Sequence, residues 1–134
     1  MGLLLSTLGV AAPTPKPAYD FFICANINRN YTIGAEILTM NGVFQRDAAG
    51  AWQHLGYNDM GVTAVAFDPR DRRVWYTSAL NGLWRTLDGG KSWRMCNGWE
   101  MTEARDVAVD PNAPDNVYLA LPDGVAVSTD RAQT

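Results

Sequence analysis

The sequence predicts an all-β fold built from a repeated unit of four short antiparallel strands. Three observations lead there. Phrases beginning "NGVFQRDAAGAW" at Asn41, "NGLWRTLDGGKSW" at Asn81 and "DGVAVSTDRAQT" at Asp123 align, at steps of 40 and 42 residues. Between them a second phrase recurs, "VTAVAFDPRDRRVWYTSA" from Val62 and "RDVAVDPNAPDNVYLALP" from Arg105, with Asp68-Pro69 and Asp110-Pro111 standing 42 residues apart. The apolar runs inside each unit are short, β-branched or aromatic, and bounded by Gly, Pro, Asn and Asp, which is strand-and-turn chemistry. No helical stripe runs between Tyr19 and Thr134.

Taken in chain order, the first element is a leader. Residues 3–12 are apolar and uncharged, Val10-Ala11-Ala12 resembles a small-residue cleavage site, and a proline-rich stretch follows at 13–17. Residues 1–18 thus read as the remnant of a signal peptide and a linker, without the usual positive start, and export to the cell envelope or beyond is expected. The apolar run is too short to span a bilayer. The repeats occupy 19–134. In the clearest unit the strands fall at 62–67, 74–77, 83–86 and 92–95, with "DPRD" and "DPNAPD" as turns between the first two strands of successive units. A four-stranded unit with a period near 40 is one blade of a β-propeller. Blades are expected near 40–80 and 81–122, with partial strands at each end. Propellers need roughly four to eight blades. Fewer than three fit here, so an incomplete propeller is expected, partnered by the remaining blades of a longer protein.

The bulk composition narrows the partners. The 134 residues carry a net charge of −3 and no Lys/Arg cluster, which argues against nucleic acid because phosphate binding needs a concentrated basic surface. Two cysteines, Cys24 and Cys96, match no zinc spacing and make no disulfide framework. They are expected as buried or partly buried thiols, a bridge remaining open if the protein is exported. His54 is the only histidine, so no multi-histidine metal site is expected, and no cofactor.

The stretch "RTLDGGKSW", 85–93, poses the functional question most sharply. Asp88 is either a catalytic acid on a glycine loop or the organiser of a turn. The residue types favour the turn. An Asp carboxylate accepts hydrogen bonds from turn N–H groups that lack a ladder partner, Gly90 permits a positive φ, and Trp93 can cover the bend. This stretch resembles the Asp-box, or BNR repeat, of pattern Ser/Thr-x-Asp-x-Gly-x-Thr/Ser-Trp, carried here by Thr86, Asp88, Gly90, Ser92 and Trp93. Ser128, Asp130 and Thr134 repeat it with Ala132 in place of the glycine, and Asp47 with Trp52 marks a degenerate first copy. The resemblance implies an Asp-box β-propeller, a group that includes sialidases, xyloglucanase-like glycoside hydrolases, sortilin-type receptors and photosystem II assembly factors.

Binding residues collect on loops held by a rigid scaffold. In an alternating meander the "DP" turns and the Asp-boxes share one face, and the remaining loops share the other. That second face carries Tyr57, Asp59, Trp99 and Glu100 as candidates for ligand contact. Arg105 and Asp106, aligned with Thr63 and Ala64, put a charged pair at the channel mouth and could grip a sugar or a carboxylate. The resemblance also supplies two arguments about catalysis. No sialidase-type Arg-Ile-Pro occurs, and Met40 stands where xyloglucanase-like enzymes carry an aspartate in a stretch like "TDIGGAY". The expectation is a non-catalytic binding or scaffold module for carbohydrate or a protein partner, the alternative being a glycoside hydrolase whose catalytic residues lie mostly beyond this chain. Export predicts a mature N-terminus near Pro13, which mass spectrometry of the native protein reads directly.

Overall fold

The computed structural model describes residues 21–27, 30, 40–59 and 61–133. The leader expected at 1–18 lies outside the described residues, as does Thr134. Among the described residues there are ten strands and no α-helix. They are β1 (Phe21–Ile27), β2 (Met40–Arg46), β3 (Trp52–Leu55), β4 (Ala64–Phe67), β5 (Trp75–Ala79), β6 (Gly82–Thr86), β7 (Arg94–Met95), β8 (Asp106–Val109), β9 (Val117–Leu121) and β10 (Gly124–Ser128). They form three antiparallel meanders: β1-β2-β3, β4-β5-β6-β7 and β8-β9-β10.

The sheets correct the expected boundaries. Blades were expected at 40–80 and 81–122, but β4 to β7 run from Ala64 to Met95 as one sheet, and the breaks fall in the connections after β3 and β7. The conspicuous Asn-Gly steps mark hairpins inside sheets. Ala79 pairs with Gly82 across the two-residue turn Leu80-Asn81, and Leu121 with Gly124 across Pro122-Asp123. A repeat phased on a hairpin divides each sheet through its middle. The four strands expected between 62 and 95 do form one sheet, with β4 and β7 each starting two residues late.

Adjacent sheets pack face to face, and β5 of the middle sheet shows why the sequence requires it. All five of its residues are buried. A strand alternates its side chains between faces. Trp75 and Ala79 enter a cluster with Val43, Val62 and, around them, Phe22, Cys24, Leu55, Tyr57, Trp84 and Trp93. Tyr76 points the other way, into a cluster with Val74, Leu83, Ala104, Val107, Val117, Leu119 and Ala132. The first cluster joins sheets one and two, and the second joins sheets two and three. The first seam is aromatic. Trp75 meets Phe22, Phe67 and Trp93 at ring-centroid distances of 5.4, 5.2 and 5.4 Å.

Polar bonds stitch the second seam at both ends. At one end the Asp68 carboxylate, buried, accepts Arg70 Nε at 3.1 Å and Nη2 at 3.0 Å, and lies 3.2 Å from Arg131 Nη2 of the third sheet. Arg70 also donates to Asp115 Oδ1 at 2.8 Å. The hydrogen bonds from Arg70 hold the Asp68 carboxyl below the usual range against the opposing effect of burial. The buried Arg85 donates to the Arg131 carbonyl at 2.6 Å. At the other end Leu80 N donates to Gly61 O at 3.1 Å and Glu103 N to Leu80 O at 2.6 Å, and the Thr63 hydroxyl donates to Ala104 O at 3.1 Å, so three connections on that end are tied together.

The turn after β6 is built around Asp88. Thr86 Oγ1 donates to Asp88 Oδ1 at 2.8 Å and accepts Gly90 N at 2.9 Å. Asp88 Oδ1 also accepts Lys91 N at 3.1 Å and Ser92 N at 2.9 Å, while Oδ2 accepts Ser92 Oγ at 2.6 Å. These donors, the Ser92 hydroxyl foremost, lower the carboxyl from 3.8 to about 2. Both carboxylate oxygens accept hydrogen bonds from within the turn. After β10 the pattern recurs: Ser128 Oγ donates to Asp130 Oδ1 at 2.7 Å and accepts Ala132 N at 2.8 Å, and Asp130 Oδ1 accepts Gln133 N at 3.0 Å. The first turn is shorter, with Asp47 Oδ1 accepting Ala51 N at 2.9 Å.

One substitution between these turns has a clear packing cause. Gly90 sits at φ +86, and a Cβ there would come within 2.8 Å of the Trp75 ring. Ala132 takes the same left-handed backbone at φ 54. Its methyl is accommodated because the residue aligned with Trp75 is the much smaller Val117, which shares a core cluster with it. Trp75→Ala should cost about 3–5 kcal/mol, the range for truncating a buried large aromatic, measured by denaturant unfolding. Asp88→Asn should lower Tm while leaving the strand content unchanged by circular dichroism. Because the folded pKa of Asp88 is depressed, its contribution is complete above about pH 4 and is lost as pH falls toward about 2. Wild type should lose more stability than Asp88→Asn over that interval.

Candidate functional site

The six candidate contact residues all lie on or beside the connections between sheets, and the structure gives them three different settings. Tyr57, after β3, is packed. Its ring stacks on Trp84 at 4.6 Å and 20°, meets the edge of Trp93 at 5.2 Å, and its hydroxyl shares a 2.6 Å hydrogen bond with Thr77 Oγ1. Burial pushes the phenol well above its usual range, so it stays protonated and acts as a hydrogen-bonding wedge in the first seam. Asp59, two residues on, accepts Gly61 N at 2.7 Å and closes the local bend. Both residues serve the connection that carries the chain into β4.

Arg105 and Asp106 stand where the third sheet begins. Arg105 Nη2 donates to Glu103 Oε2 at 3.1 Å in an exposed pair, and its backbone N bonds Ala120 O at 2.9 Å. Asp106 Oδ1 accepts the next N–H, that of Val107, at 2.8 Å. The two side chains do not bond each other, and each leaves hydrogen-bonding capacity toward solvent.

Trp99 and Glu100 occupy the third setting, the loop between β7 and β8. Trp99 is 90% exposed, in contrast to Trp75 at 3%. An indole in water is out of place energetically, since full burial of such a ring is strongly favourable. The loop that holds it is braced. Asn97 Oδ1 accepts Leu83 N at 2.6 Å, and its amide donates to Gly98 O at 2.7 Å and Met101 O at 3.0 Å. Glu103, at φ 55, closes the far end through its bond to Leu80 O. The indole is therefore presented by an ordered loop and needs little ordering on contact.

Beside this loop, between the second and third sheets, opens a cleft of about 380 Å3. Its walls mix apolar groups, among them Met95, Met101 and Leu119, with the polar side chains of Arg94, Glu100 and Gln133. Gly98 and Glu100, which flank Trp99, both line it. Polar and apolar groups contribute to its walls in nearly equal measure. Neither the cleft nor the bracing role of Asn97 was foreseen from sequence. The signal available for Asn97 was only its place in "CNGWEM", shortly after a strand. Among the described residues no group of three or more His, Cys, Asp and Glu side chains could hold a metal ion. Cys24 and Cys96 are free, half-buried thiols, and burial raises the pKa of both.

No protein-family model matches the chain, and no curated protein matches it. Among solved structures it is similar to the crystal structure of an ancestral GH74 enzyme, with a TM-score of 0.59 and 23% identity. The match covers 71% of this chain and 15% of that one, so the chain spans a small part of its neighbour. At that identity the likeness speaks to architecture, and with three antiparallel sheets in series it establishes an all-β fold of partial β-propeller type.

Proposed function

We propose that this chain is part of an exported Asp-box β-propeller whose loop face binds carbohydrate, and that its own residues contribute binding and not catalysis. The observation that carries the reading is Trp99, exposed on a braced loop beside the cleft that Glu100 lines. A flat apolar ring next to carboxylate, guanidinium and amide groups suits a sugar, which offers an apolar ring face and a rim of hydroxyls. Arg105 and Asp106 extend the polar surface toward the channel mouth. Met40, at the start of β2, gives no acid at the position where the resemblance would put one. Export rests on the apolar 3–12 stretch with its small-residue end. Among the described residues no helix is long and apolar enough to cross a membrane.

A second reading, a glycoside hydrolase, is favoured by one observation: the solved neighbour is a GH74 enzyme, a β-propeller glycoside hydrolase. In that case the catalytic residues lie mostly beyond this chain, with two carboxyl groups roughly 5–10 Å apart across the channel. Calorimetric titration of the full-length protein with a panel of polysaccharides and sialosides separates the readings, with reducing-end release followed in parallel. Binding without release supports the first, and release that vanishes on mutating one carboxylate supports the second. Trp99→Ala should weaken polysaccharide affinity by about tenfold, in line with an aromatic contact of about 1.4 kcal/mol, at unchanged Tm. Tyr57→Phe should leave affinity unchanged and lower Tm through loss of the Thr77 bond.

A further inference from the structure

Three Asn-Gly steps occur in the chain, Asn41-Gly42, Asn81-Gly82 and Asn97-Gly98. A glycine amide nitrogen, unshielded by any Cβ on its own residue, can attack the preceding asparagine at Cγ and close a succinimide ring. In a denatured chain the three steps are chemically alike. In the folded chain they differ by three requirements. The asparagine must be open to water, its Nδ2 must be free to leave, and the charge that develops on Oδ1 must be supported.

Asn41 fails the first two. It is 3% exposed, and its Nδ2 donates to Asn58 Oδ1 at 3.1 Å. Asn97 fails the second. Its Nδ2 donates to Gly98 O at 2.7 Å, Met101 O at 3.0 Å and Asn81 O at 3.4 Å, while Oδ1 accepts Leu83 N at 2.6 Å. Rotating Cγ toward Gly98 N would break the whole set. Asn81 meets all three. It is exposed at the tip of the hairpin between β5 and β6. Its Oδ1 accepts Trp84 Nε1 at 2.9 Å, and its Nδ2 has no partner among the described residues. An indole N–H only donates, so the amide oxygen is the atom that faces Trp84, where the tetrahedral oxyanion forms. A donor already in place there lowers the barrier. Gly82 closes the hairpin opposite Ala79, so the attack needs only a local opening of the turn, far less costly than unfolding. The third sheet shows that the acidic product fits such a hairpin. Asp123-Gly124 stands at the aligned place, and Gly124 pairs with Leu121 as Gly82 pairs with Ala79.

We propose that Asn81 is a modification site, deamidating spontaneously to aspartate and isoaspartate at the tip of the β5–β6 hairpin. Gly82 N bonds to Asn81 Cγ and gives up its proton. The Cγ–Nδ2 bond breaks, and Nδ2 leaves with that proton as ammonia. Water then adds to one of the two imide carbonyls. Opening at Cγ gives aspartate. Opening at the main-chain carbonyl carbon gives isoaspartate, in which the backbone runs through Cβ and Cγ. Isoaspartate lengthens the backbone by one carbon beside Leu80, the residue that bonds both Gly61 and Glu103. The proposal stands on the chemistry of the hairpin and not on carbohydrate binding.

The test is peptide mapping by mass spectrometry of the full-length protein, held warm at mildly alkaline pH with and without urea. In the folded protein Asn81 should deamidate at least about tenfold faster than Asn41 or Asn97, a barrier difference of about 1.4 kcal/mol. In urea the three should react at similar rates, which assigns the ordering to the fold. Trp84→Phe keeps a ring against Tyr57 and removes the N–H. It should slow the reaction at Asn81 by at least about threefold through loss of the oxyanion donor. A merely structural role for Trp84 would instead speed it, by loosening the hairpin. If Trp84→Phe does not fold, the ordering in the unsubstituted protein decides alone. Asn41 or Asn97 reacting as fast as Asn81 in the folded protein overturns the proposal. So does an Asn81 left intact while the urea sample converts, or an unchanged or faster rate at Asn81 in folded Trp84→Phe.

Discussion

A sheet with apolar side chains on both faces has to be covered twice. That constraint governs this molecule. In β5 every residue is buried, with Trp75 and Ala79 committed to one neighbour and Tyr76 to the other. The strand is too short to enclose a core by itself, so the sheets stack in series and each seam serves as the core of two units at once. The described residues form three sheets with two seams between them. Stability in such an arrangement is shared between units and the contacts joining them.

The two ends of each sheet have different duties as a result. At the end that carries Asp68, Asp88 and Asp130, carboxylates are saturated by turn donors and arginines. Those groups fix backbone direction and the spacing of adjacent sheets, with little left over for a ligand. At the opposite end backbone bonds through Gly61, Leu80 and Glu103 are joined by side chains, the Thr63 hydroxyl donating to Ala104 O among them. The exposed Trp99 stands on that end. The two ends thus differ in how the seam is fastened.

Much of this was legible in the sequence, for identifiable reasons. Strand positions and the turn at Asp88 depend on residues a few places apart, and their chemistry is local. The phase of the sheets was misread because the Asn-Gly hairpins repeat more visibly than the true breaks, which lie in irregular connections. Tyr57 and Trp99 look alike as loop aromatics, yet one is wedged against Trp84 and the other stands in water. Only the packing of a neighbouring sheet separates them. The Asp68–Arg131 pair was invisible for the same reason, since it joins turns in different repeats.

The pairing of Gly90 with Trp75, and of Ala132 with Val117, bears on how repeats of this kind diverge and how they could be recombined. A turn residue and the strand residue beneath it form one unit of volume, although they lie in different parts of the repeat. A consensus built position by position from the copies could set alanine above tryptophan, where the ring already lies 2.8 Å from the new carbon. Exchange between copies is tolerated when both members move together. The heritable element is then a complementary pair, and drift at either site alone is held back by its fellow.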